Sequence, residues 1–205
     1  MDIKTRVFFD MHYPEDEGIG IATALDVRQL SQSFLASGAD SFILFAKCQY
    51  GNAYYDTKVG HKHSGLGDLD FIKEMSKALH AHHKEVIAYY SVAWDEWQAD
   101  RNPQWLTQDG DGGTESSEFR WRTLCLNSPY RKFVFDQLIE IATECEIDGF
   151  WIDMTIIGKD RCHCPYCKEK FAALYPGEEM VDDDPRFLDF RYDYIEAFYA
   201  ELYAA

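Results

Sequence analysis

Three cysteines stand within six consecutive positions of this chain, as Cys162, Cys164 and Cys167. The first two flank a turn and the third follows about one helical turn later, so the three thiolates can converge on one ion. In a reducing compartment such crowding favours metal binding or redox chemistry over disulfide crosslinks. The spacing therefore predicts a zinc site, with three incidental free thiols as the alternative.

A tetrahedral zinc site takes a fourth ligand, for which the chain offers three candidates. Cys125 lies two residues before an Asn127-Ser128-Pro129 sequence that is typical of a helix start. Cys145 falls on the apolar stripe of that helix, where a free thiol packs as a small hydrophobe. His163 could substitute, although its side chain should point away from its neighbours. Four thiolates would close the site, which would make it structural and not catalytic.

A single carboxylate, Asp153, follows the short apolar run Phe150–Ile152. This pattern predicts an acid at the end of a buried strand, where it could attack an anomeric carbon as the nucleophile of a glycosidase. The alternative is an aspartate that caps the next turn, which is a common role for this residue type. Trp151 within the run, together with the architecture predicted below, favours the catalytic interpretation.

Aromatic and polar side chains follow the other predicted strands. Aromatic faces combined with amide, imidazole and ammonium donors suit a sugar ring, which offers an apolar face and a rim of hydroxyls. The sequence therefore predicts a carbohydrate site with the substrate-binding residues His12, Lys47, Gln49, Tyr54, Tyr55, Tyr90, Trp94 and Trp97. Packing at the rim of the fold is an equal alternative for the tyrosine pair 54–55 and for the two tryptophans. A single loop histidine is more often simply solvated.

Four short apolar runs alternate with segments of helical period. The runs, each predicted as a strand, are Arg6–Asp10, Ser41–Ala46, Glu85–Ser91 and Gly149–Ile152. Helices are predicted over Ala22–Ser37, from Asp68 through Leu79, after Asn127-Ser128-Pro129, over Lys168–Leu174 and from Pro185 onward. Residues 47–65 and 92–123 are predicted as long loops, the second with one short helix. The alternation predicts a parallel sheet covered by helices.

Two α/β architectures fit this order of elements. A doubly wound sheet usually places its ligand at a glycine-rich turn after the first strand, where this chain has His12-Tyr13-Pro14. A (β/α)8 barrel explains long, decorated loops after every strand, but it needs about 250 residues and eight strands. We therefore expect an α/β fold of the parallel TIM-barrel type, with only the first four βα units present. Residues 1–205 would form the N-terminal half of a catalytic barrel that continues beyond the C-terminus.

The composition limits the partners of the chain. The formal net charge is −16, from 36 acidic and 20 basic residues, so a nucleic acid or an anionic membrane would meet a repulsive field. No run approaches the ~20 apolar residues needed to cross a bilayer, and the N-terminus lacks the pattern of a signal peptide. We expect a cytoplasmic protein with neither a nucleic-acid nor a membrane partner.

The chain resembles the N-terminal part of the glycoside hydrolases grouped around the family 29 α-L-fucosidases, and looks most similar to the branch called hypothetical glycosyl hydrolase 6. The resemblance covers nearly the whole chain and is carried by Phe8–His12, Ala46–Gly51, Ala88–Ser91 with Trp97, and Gly149–Asp153. It implies a retaining enzyme in which Asp153 is the nucleophile and the acid/base lies beyond residue 205. Cys48 and Gln49 depart from the pattern, because the fucosidases have two histidines there.

The cysteine pattern is instead similar to the zinc site of family 42 β-galactosidases, in which a cysteine before an Asn-Ser-Pro helix start joins a C-x-C-x-x-C motif. This similarity implies that Cys125 is the fourth ligand and that the zinc is structural. Those galactosidases end strand four with an Asn-Glu acid/base pair, which Ile152-Asp153 does not match. The implied role of Asp153 therefore remains that of nucleophile.

Three functional hypotheses follow. The leading one is a retaining glycoside hydrolase acting on an oligosaccharide or glycoside, with this fragment alone inactive. The alternative is a non-catalytic carbohydrate-binding barrel with a structural zinc, and a third is a zinc-dependent hydrolase with catalytic cysteines. A half-barrel would also expose apolar strand edges, which indicates a possible homo-oligomer.

Overall fold

The computed structural model describes residues 4–15, 22–114, 120–155 and 162–204. The chain divides into two compact units. The first unit comprises Met1–Val92 and Asp136–Asp153, and the second comprises Ala93–Phe135 and Met154–Ala205. Each unit is described by itself.

The strands are β1 (Arg6–Phe9), β2 (Ser41–Lys47), β3 (Asn52–Ala53), β4 (His61–Lys62), β5 (Glu85–Ser91) and β6 (Gly149–Asp153). The α-helices are α1 (Val27–Ala36), α2 (Phe71–His80), α3 (Glu96–Arg101), α4 (Tyr130–Glu144), α5 (Pro165–Leu174) and α6 (Pro185–Ala204). Short 3-10 turns cover Ser64–Leu66 and Pro103–Trp105.

Four strands of the first unit form a parallel sheet in chain order. β1 pairs with β2, β2 with β5 and β5 with β6, all parallel. These are the four predicted strands, so the α/β class with a parallel-rich sheet is confirmed. The loop predicted after β2 contains two short strands, of which β3 runs antiparallel to β2 and β4 runs parallel to β3. Strands of two residues are too short to show a period of their own in the sequence.

Aspartate side chains determine where the first two helices begin. Asp26 accepts a hydrogen bond from the Gln29 amide at 3.0 Å, and Asp70 accepts one from the Lys73 amide at 3.2 Å. Each carboxylate satisfies an amide that has no partner within its helix, so both are N-caps. The predicted starts at Ala22 and Asp68 were therefore too early. The apolar stripe predicted for α2 is buried at Ile72, Met75 and Leu79.

The sheet has one face covered by helices and one face lined by aromatic rings. On the covered face the ring of Phe42 stacks on Phe34 of α1, with centroids 4.9 Å apart. On the opposite face Phe45 stacks on Tyr89 at 4.0 Å, and the ring of Phe8 meets Tyr89 edge-on at 5.6 Å and Trp151 at 6.3 Å.

The two outer strands of the parallel sheet are less buried than the sequence suggested. Phe8 of β1 is 44% exposed and Trp151 of β6 is 45% exposed. The prediction that Asp153 ends a buried strand is therefore wrong, because no residue of β6 is buried in this structure. Each outer strand has only one parallel neighbour among the described residues, so its second edge gives the side chains no cover.

The second unit is built around an aromatic and thiol cluster. Phe171 of α5 packs edge-on against Phe187 and Phe190 of α6, with centroids 6.0 Å and 5.6 Å apart. The segment predicted as a long loop with one short helix contains α3 and a 3-10 turn, and isolated bridges join Trp94 to Thr123 and Leu106 to Leu124. Among the helices of the described ranges, none has the length and apolar character of a membrane span.

Candidate active site and candidate metal centre

Asp153 lies at the carboxyl end of β6, opposite Ser91 of β5 in the parallel register. Its half-buried side chain accepts a hydrogen bond at Oδ2 from the hydroxyl of Tyr89, over 2.6 Å. Within the described parts of the chain this is the one hydrogen bond to the carboxylate, so Oδ2 is fixed and Oδ1 has no protein donor. A carboxylate at a strand end with one oxygen held is suited to attack by the other.

Tyr89 is the residue that positions this carboxylate. It is buried on the aromatic face of β5, two residues before the strand end, and its ring is held between Phe45 and the edge of Phe8. Burial, together with the hydrogen bond to Asp153, raises the pKa of the Tyr89 phenol. The phenol therefore stays protonated at neutral pH and acts as a donor toward Asp153.

Gln49 is the second polar side chain at this position. It lies two residues after β2, is only 3% exposed, and donates from Nε2 to the Tyr89 hydroxyl over 3.0 Å. Its carbonyl oxygen, Oε1, is buried and has no hydrogen-bond partner among the described residues. A chain of hydrogen bonds thus runs from Gln49 through Tyr89 to Asp153.

His12 stands beside the same tyrosine. Its ring contacts Phe45 edge-on with centroids 4.8 Å apart and Tyr89 at 6.2 Å, and Nδ1 pairs with the Asp10 carboxylate. The structure therefore brings together three of the predicted site residues, His12, Gln49 and Asp153, around Tyr89. The sequence did not identify Tyr89, because adjacent tyrosines 89 and 90 point to opposite faces of β5 and only the register shows which one faces Asp153.

The other predicted residue on β5 faces the helices. Tyr90 is fully buried and donates from its hydroxyl to Oε1 of Gln137 on α4, over 2.8 Å. Lys47 is also fully buried, and its ammonium lies 4.8 Å from the centroid of the Tyr90 ring. Substrate contact by these two residues stays a prediction, and neither side chain has exposed surface in this structure.

The tyrosine pair after β2 is likewise enclosed. Both rings are fully buried, and their hydroxyls donate to protein acceptors: Tyr54 to the carbonyl of Met11 and Tyr55 to Oε2 of Glu140 over 2.8 Å. The packing alternative accounts for all these contacts. In the second unit the buried Trp94 donates to Oγ1 of Thr123 over 3.3 Å, and Arg101 stacks over the half-buried Trp97 ring at 3.8 Å.

Four cysteines converge in the second unit. The sulfur atoms of Cys125, Cys162, Cys164 and Cys167 all lie within 4.8 Å of one another, and all four residues are buried. The Cys125 and Cys167 sulfurs are 3.4 Å apart, which is too long for a disulfide. The predicted convergence of these four residues is confirmed.

The two other candidate ligands have different roles. Cys145 is buried directly after α4 in the first unit, where burial raises its pKa to about 12. His163 bonds through Nε2 to the Asp182 carboxylate over 2.7 Å, and its amide donates to the Gln108 carbonyl over 2.6 Å. His163 is therefore committed outside the thiol cluster, as its position between two cysteines suggested.

Local backbone structure presents the sulfurs to one another. Cys164 is the N-cap of α5 and Cys167 lies in its first turn, so both thiols stand at the positive end of a helix. Cys125 is held by its amide, which donates to the Trp105 carbonyl over 2.8 Å, and by its carbonyl, which accepts from the Ser128 hydroxyl over 2.6 Å. The loop before α4 and the start of α5 thus bring the ligands together.

Polar contacts around the cluster favour negative sulfur. Asn127 donates from its backbone amide to Cys125 over 3.4 Å and from Nδ2 to Cys167 over 3.3 Å. Lys170 in turn donates to Oδ1 of Asn127 over 2.8 Å. Hydrogen bonds among the four thiols lower the pKa of Cys164 and raise the pKa of Cys125. The cluster therefore places negative charge first on Cys164, although it lies among aromatic rings.

The geometry of the four thiols fits one tetrahedral ion. With a Zn–S distance of about 2.3 Å, the sulfurs of such a site lie about 3.8 Å apart. The observed cluster, with all sulfurs within 4.8 Å of one another and those of Cys125 and Cys167 3.4 Å apart, needs only small shifts to reach that arrangement. This buried four-cysteine group could hold a metal ion.

The fold is similar to part of two solved α-L-fucosidases. The structure is similar to α-L-fucosidase isoenzyme 2 from Paenibacillus thiaminolyticus, with a TM-score of 0.81 and 24% identity over 95% of this chain and 29% of that chain. It is also similar to an α-L-fucosidase of family 29 from Bacteroides thetaiotaomicron, with a TM-score of 0.51, 21% identity, and coverage of 76% of this chain and 34% of that chain.

A hypothetical protein from Ruminiclostridium thermocellum gives a TM-score of 0.58 at 15% identity, covering 97% of this chain and 90% of that chain. A search of curated proteins finds no match. This chain spans 29% of the length of the Paenibacillus enzyme, which is less than a third.

The sequence itself places the chain in a family. The model of the hypothetical glycosyl hydrolase 6 family matches residues 26–154, which is more than half of the chain, and the chain belongs to that family. The matched segment extends from the N-cap of α1 to the residue after Asp153. The resemblance drawn from the four strand motifs is therefore confirmed.

Proposed function

We propose that this chain is part of a retaining glycoside hydrolase in which Asp153 is the nucleophile. The observation that carries the proposal is the Asp153 carboxylate at the carboxyl end of a parallel strand, with Oδ2 held by Tyr89 and Oδ1 without a protein donor in the described residues. Active sites of α/β barrels form at that end of the strands. Membership of a glycosyl hydrolase family supports the same reaction class.

The proposed chemistry assigns Asp153 one step. Its free oxygen attacks the anomeric carbon while a second carboxylic acid, about 5–5.5 Å away, protonates the leaving oxygen. The hydrogen bond from Tyr89 fixes the rotamer of Asp153, so less freedom is lost when the covalent glycosyl intermediate forms. We assign the acid/base to a residue beyond position 205.

We propose that residues 1–205 are the first four βα units of a (β/α)8 barrel. The four parallel strands follow one another in chain order, and the described sheet lacks the reversal of strand order that marks a doubly wound fold. The aromatic face with its exposed Phe8 and Trp151 would then line the interior of the closed barrel. The fold similarity to part of a longer fucosidase supports this assignment.

The substrate that we propose first is an α-L-fucoside, because two of the similar structures are named as α-L-fucosidases. The groups described around Asp153 suit a sugar: the imidazole of His12, the amide of Gln49 and the exposed ring of Trp151. A pyranose has an apolar ring face that can pack on an aromatic side chain, and hydroxyl groups that can form hydrogen bonds with polar side chains.

We propose that the four cysteines hold a structural zinc ion. Four thiolates fill a tetrahedral site and leave no position for water or substrate, so the ion would stabilise the second unit and take no part in catalysis. Elemental analysis of the purified protein should give about one zinc per chain, and Cys125→Ser should lower both the zinc content and the thermal stability. A protein without metal, whose stability Cys125→Ser leaves unchanged, would contradict the zinc assignment.

The nucleophile is tested in the intact protein with aryl glycosides, beginning with 4-nitrophenyl α-L-fucoside. Asp153→Asn should lower kcat on the order of a thousandfold or more, because the step that forms the covalent intermediate is lost. Asp153→Gly should regain turnover when azide is added, since a small anion can attack from the vacated space. The matched control is Asp148→Asn, just before the other end of β6, which should leave kcat unchanged in the folded fraction.

Two results would decide against this function. Wild-type turnover by Asp153→Asn would refute the nucleophile assignment. Sugar binding without turnover by the intact wild-type protein would instead favour the non-catalytic carbohydrate-binding barrel.

A further inference from the structure

Met154, the residue directly after Asp153, has an unusual backbone conformation. Its φ is 56°, in the left-handed region, where the Cβ atom of an L-residue crowds a neighbouring carbonyl oxygen. Within the described ranges, four non-glycine residues including Met154 have a positive φ. Ala22 lies in a turn, and His83 and Glu146 stand just past the ends of α2 and α4, where a left-handed residue commonly closes a helix. Met154 follows a strand, so helix capping does not account for its conformation.

Hydrogen bonds to the two residues after β5 hold this conformation. The carbonyl of Asp153 accepts from the Val92 amide over 2.9 Å. The carbonyl of Met154 accepts from the Ala93 amide, also over 2.9 Å. In a regular parallel ladder every second residue of a strand bonds to the same neighbour, so the next acceptor after Asp153 would be Thr155. Two consecutive carbonyls here bond to the same neighbouring segment, because the peptide group after Met154 is turned over as in a bulge.

The turn at Met154 decides where the next side chain goes. Side chains two residues apart along a strand point to the same face, so a straight continuation of β6 would bring the Thr155 hydroxyl to the face of the Asp153 carboxylate. A hydroxyl there can donate to Oδ1, the oxygen proposed to attack, and would make it a weaker nucleophile. In the structure Oγ1 of Thr155 bonds instead to the hydroxyl of Tyr199 on α6, over 2.5 Å.

We propose that Met154 is a positioning residue, whose left-handed backbone keeps the attacking oxygen of Asp153 free by directing Thr155 away from it. This inference rests on the proposed function, because it takes Asp153 as the nucleophile. Residues in sparsely populated backbone regions persist where the surrounding structure fixes them, and they cluster at active sites. Met154 acts through its backbone, so its side chain can be replaced by any other that tolerates the left-handed region.

The experiment compares two isomeric side chains at position 154 of the intact protein. Leucine and isoleucine contain the same atoms, but the branch at Cβ makes isoleucine far less tolerant of a positive φ. Met154→Ile should lower kcat for 4-nitrophenyl α-L-fucoside by about 10- to 100-fold with little change in KM, since a small displacement of a reacting group has an effect of this size. Met154→Leu should retain the wild-type kcat, and so should Met154→Gly, because glycine accepts a positive φ readily.

The matched control is Glu146, an exposed residue with a left-handed φ of 51° at the end of α4. Glu146→Ile should lower the melting temperature relative to Glu146→Leu and leave kcat of the folded protein unchanged. A double-mutant cycle with Tyr89→Phe gives a second readout that needs no turnover. Because Met154→Ile displaces Asp153 from the Tyr89 hydroxyl, Tyr89→Phe should cost less unfolding free energy in that background than in Met154→Leu.

Two kinetic results would overturn the inference. One is equal kcat in the folded Met154→Leu and Met154→Ile proteins. The other is loss of kcat in Met154→Gly, which would show that the side chain is needed and can be measured even if Met154→Ile does not fold. If the intact wild-type protein hydrolyses no aryl glycoside, the hydrolase proposal fails and the double-mutant cycle decides. A smaller cost of Tyr89→Phe beside Met154→Ile then supports the positioning role, and an equal cost overturns it.

Discussion

The two candidate centres differ in how far apart in sequence their parts lie. Three of the four clustered cysteines fall at the start of one helix, and a local turn is enough to bring them together. The Asp153 site instead joins Tyr89 and Asp153 from two neighbouring strands to Gln49 from the loop after a third, through the parallel register of the sheet. A metal centre can be recognised from spacing alone, whereas a hydrogen-bonded carboxylate is completed only by the packing of distant strands.

The largest effect is expected at the metal centre. Cys164→Ala should abolish zinc retention and destabilise the second unit by several kcal/mol, because binding energy at a structural zinc site is folding energy. Elemental analysis together with thermal unfolding measures both quantities. Chelation of the wild-type protein should reproduce the loss of stability. Full zinc content in the variant would show that the four sulfurs do not act as one ligand set.

Substitutions at the Asp153 site are expected to change kcat more than they change the stability of the protein. Tyr89→Phe keeps the ring packing but removes the hydrogen bond to the nucleophile, and should lower kcat by about 10- to 100-fold with a small change in KM. Tyr90→Phe is the matched control on the other face of the same strand. It breaks the bond to Gln137 and should lower the melting temperature while leaving kcat unchanged.

The opposite pattern, with Tyr90→Phe reducing kcat and Tyr89→Phe reducing only stability, would show that the register has been assigned to the wrong face. The sequence alone proposed Tyr90 as a substrate ligand and did not identify Tyr89, whereas in the structure Tyr89 bonds to Asp153. Kinetics of the two variants therefore decide between the sequence-based choice and the structural one.

Much of the sheet was predictable because its strands are apolar runs of four to seven residues with clear ends. The four parallel strands and the apolar stripe of α4 at Val134, Leu138 and Ile141 are confirmed, whereas Cys145, predicted on the same stripe, is buried just after the helix ends. Helix starts were less accurate because Asp26 and Asp70 cap the chain several residues after the apolar period begins. The start of a helix depends on the hydrogen bond of one capping side chain, and the helical repeat of apolar residues does not show which residue makes it.

The candidate site was predicted in part. Asp153 and the cysteines could be recognised because strand-end and helix-start positions are local features of the sequence. The enclosure of Tyr54 and Tyr55 could not, because their partners Met11 and Glu140 lie far away in the chain. The exposure of Trp151 was hidden for a similar reason: burial of an outer strand depends on neighbours that the strand itself does not specify.

A smaller effect is expected from the polar contacts around the sulfurs. Asn127→Leu removes the Nδ2 donor to Cys167 and the acceptor for Lys170, and should lower zinc affinity by about 10- to 100-fold without changing the ligands. Competition with a chromophoric chelator measures the affinity directly. Lys170→Met should also lower the zinc affinity, but by less, because Lys170 acts on the sulfurs through Asn127. Unchanged zinc affinity in both variants would show that Asn127 and Lys170 do not stabilise the negative charge of the four sulfurs.

The smallest effect is expected at the cysteine that belongs to neither centre. Cys145 is fully buried directly after α4, and burial raises the pKa of its thiol to about 12, so it is a neutral side chain at physiological pH. Cys145→Ala should cost about 1 kcal/mol of unfolding free energy from lost packing. Zinc content and kcat should stay at wild-type values, in contrast to Cys164→Ala. Loss of metal in Cys145→Ala would show that ligand spacing does not separate structural thiols from metal ligands in this chain, and that spacing is the basis on which the metal centre is proposed.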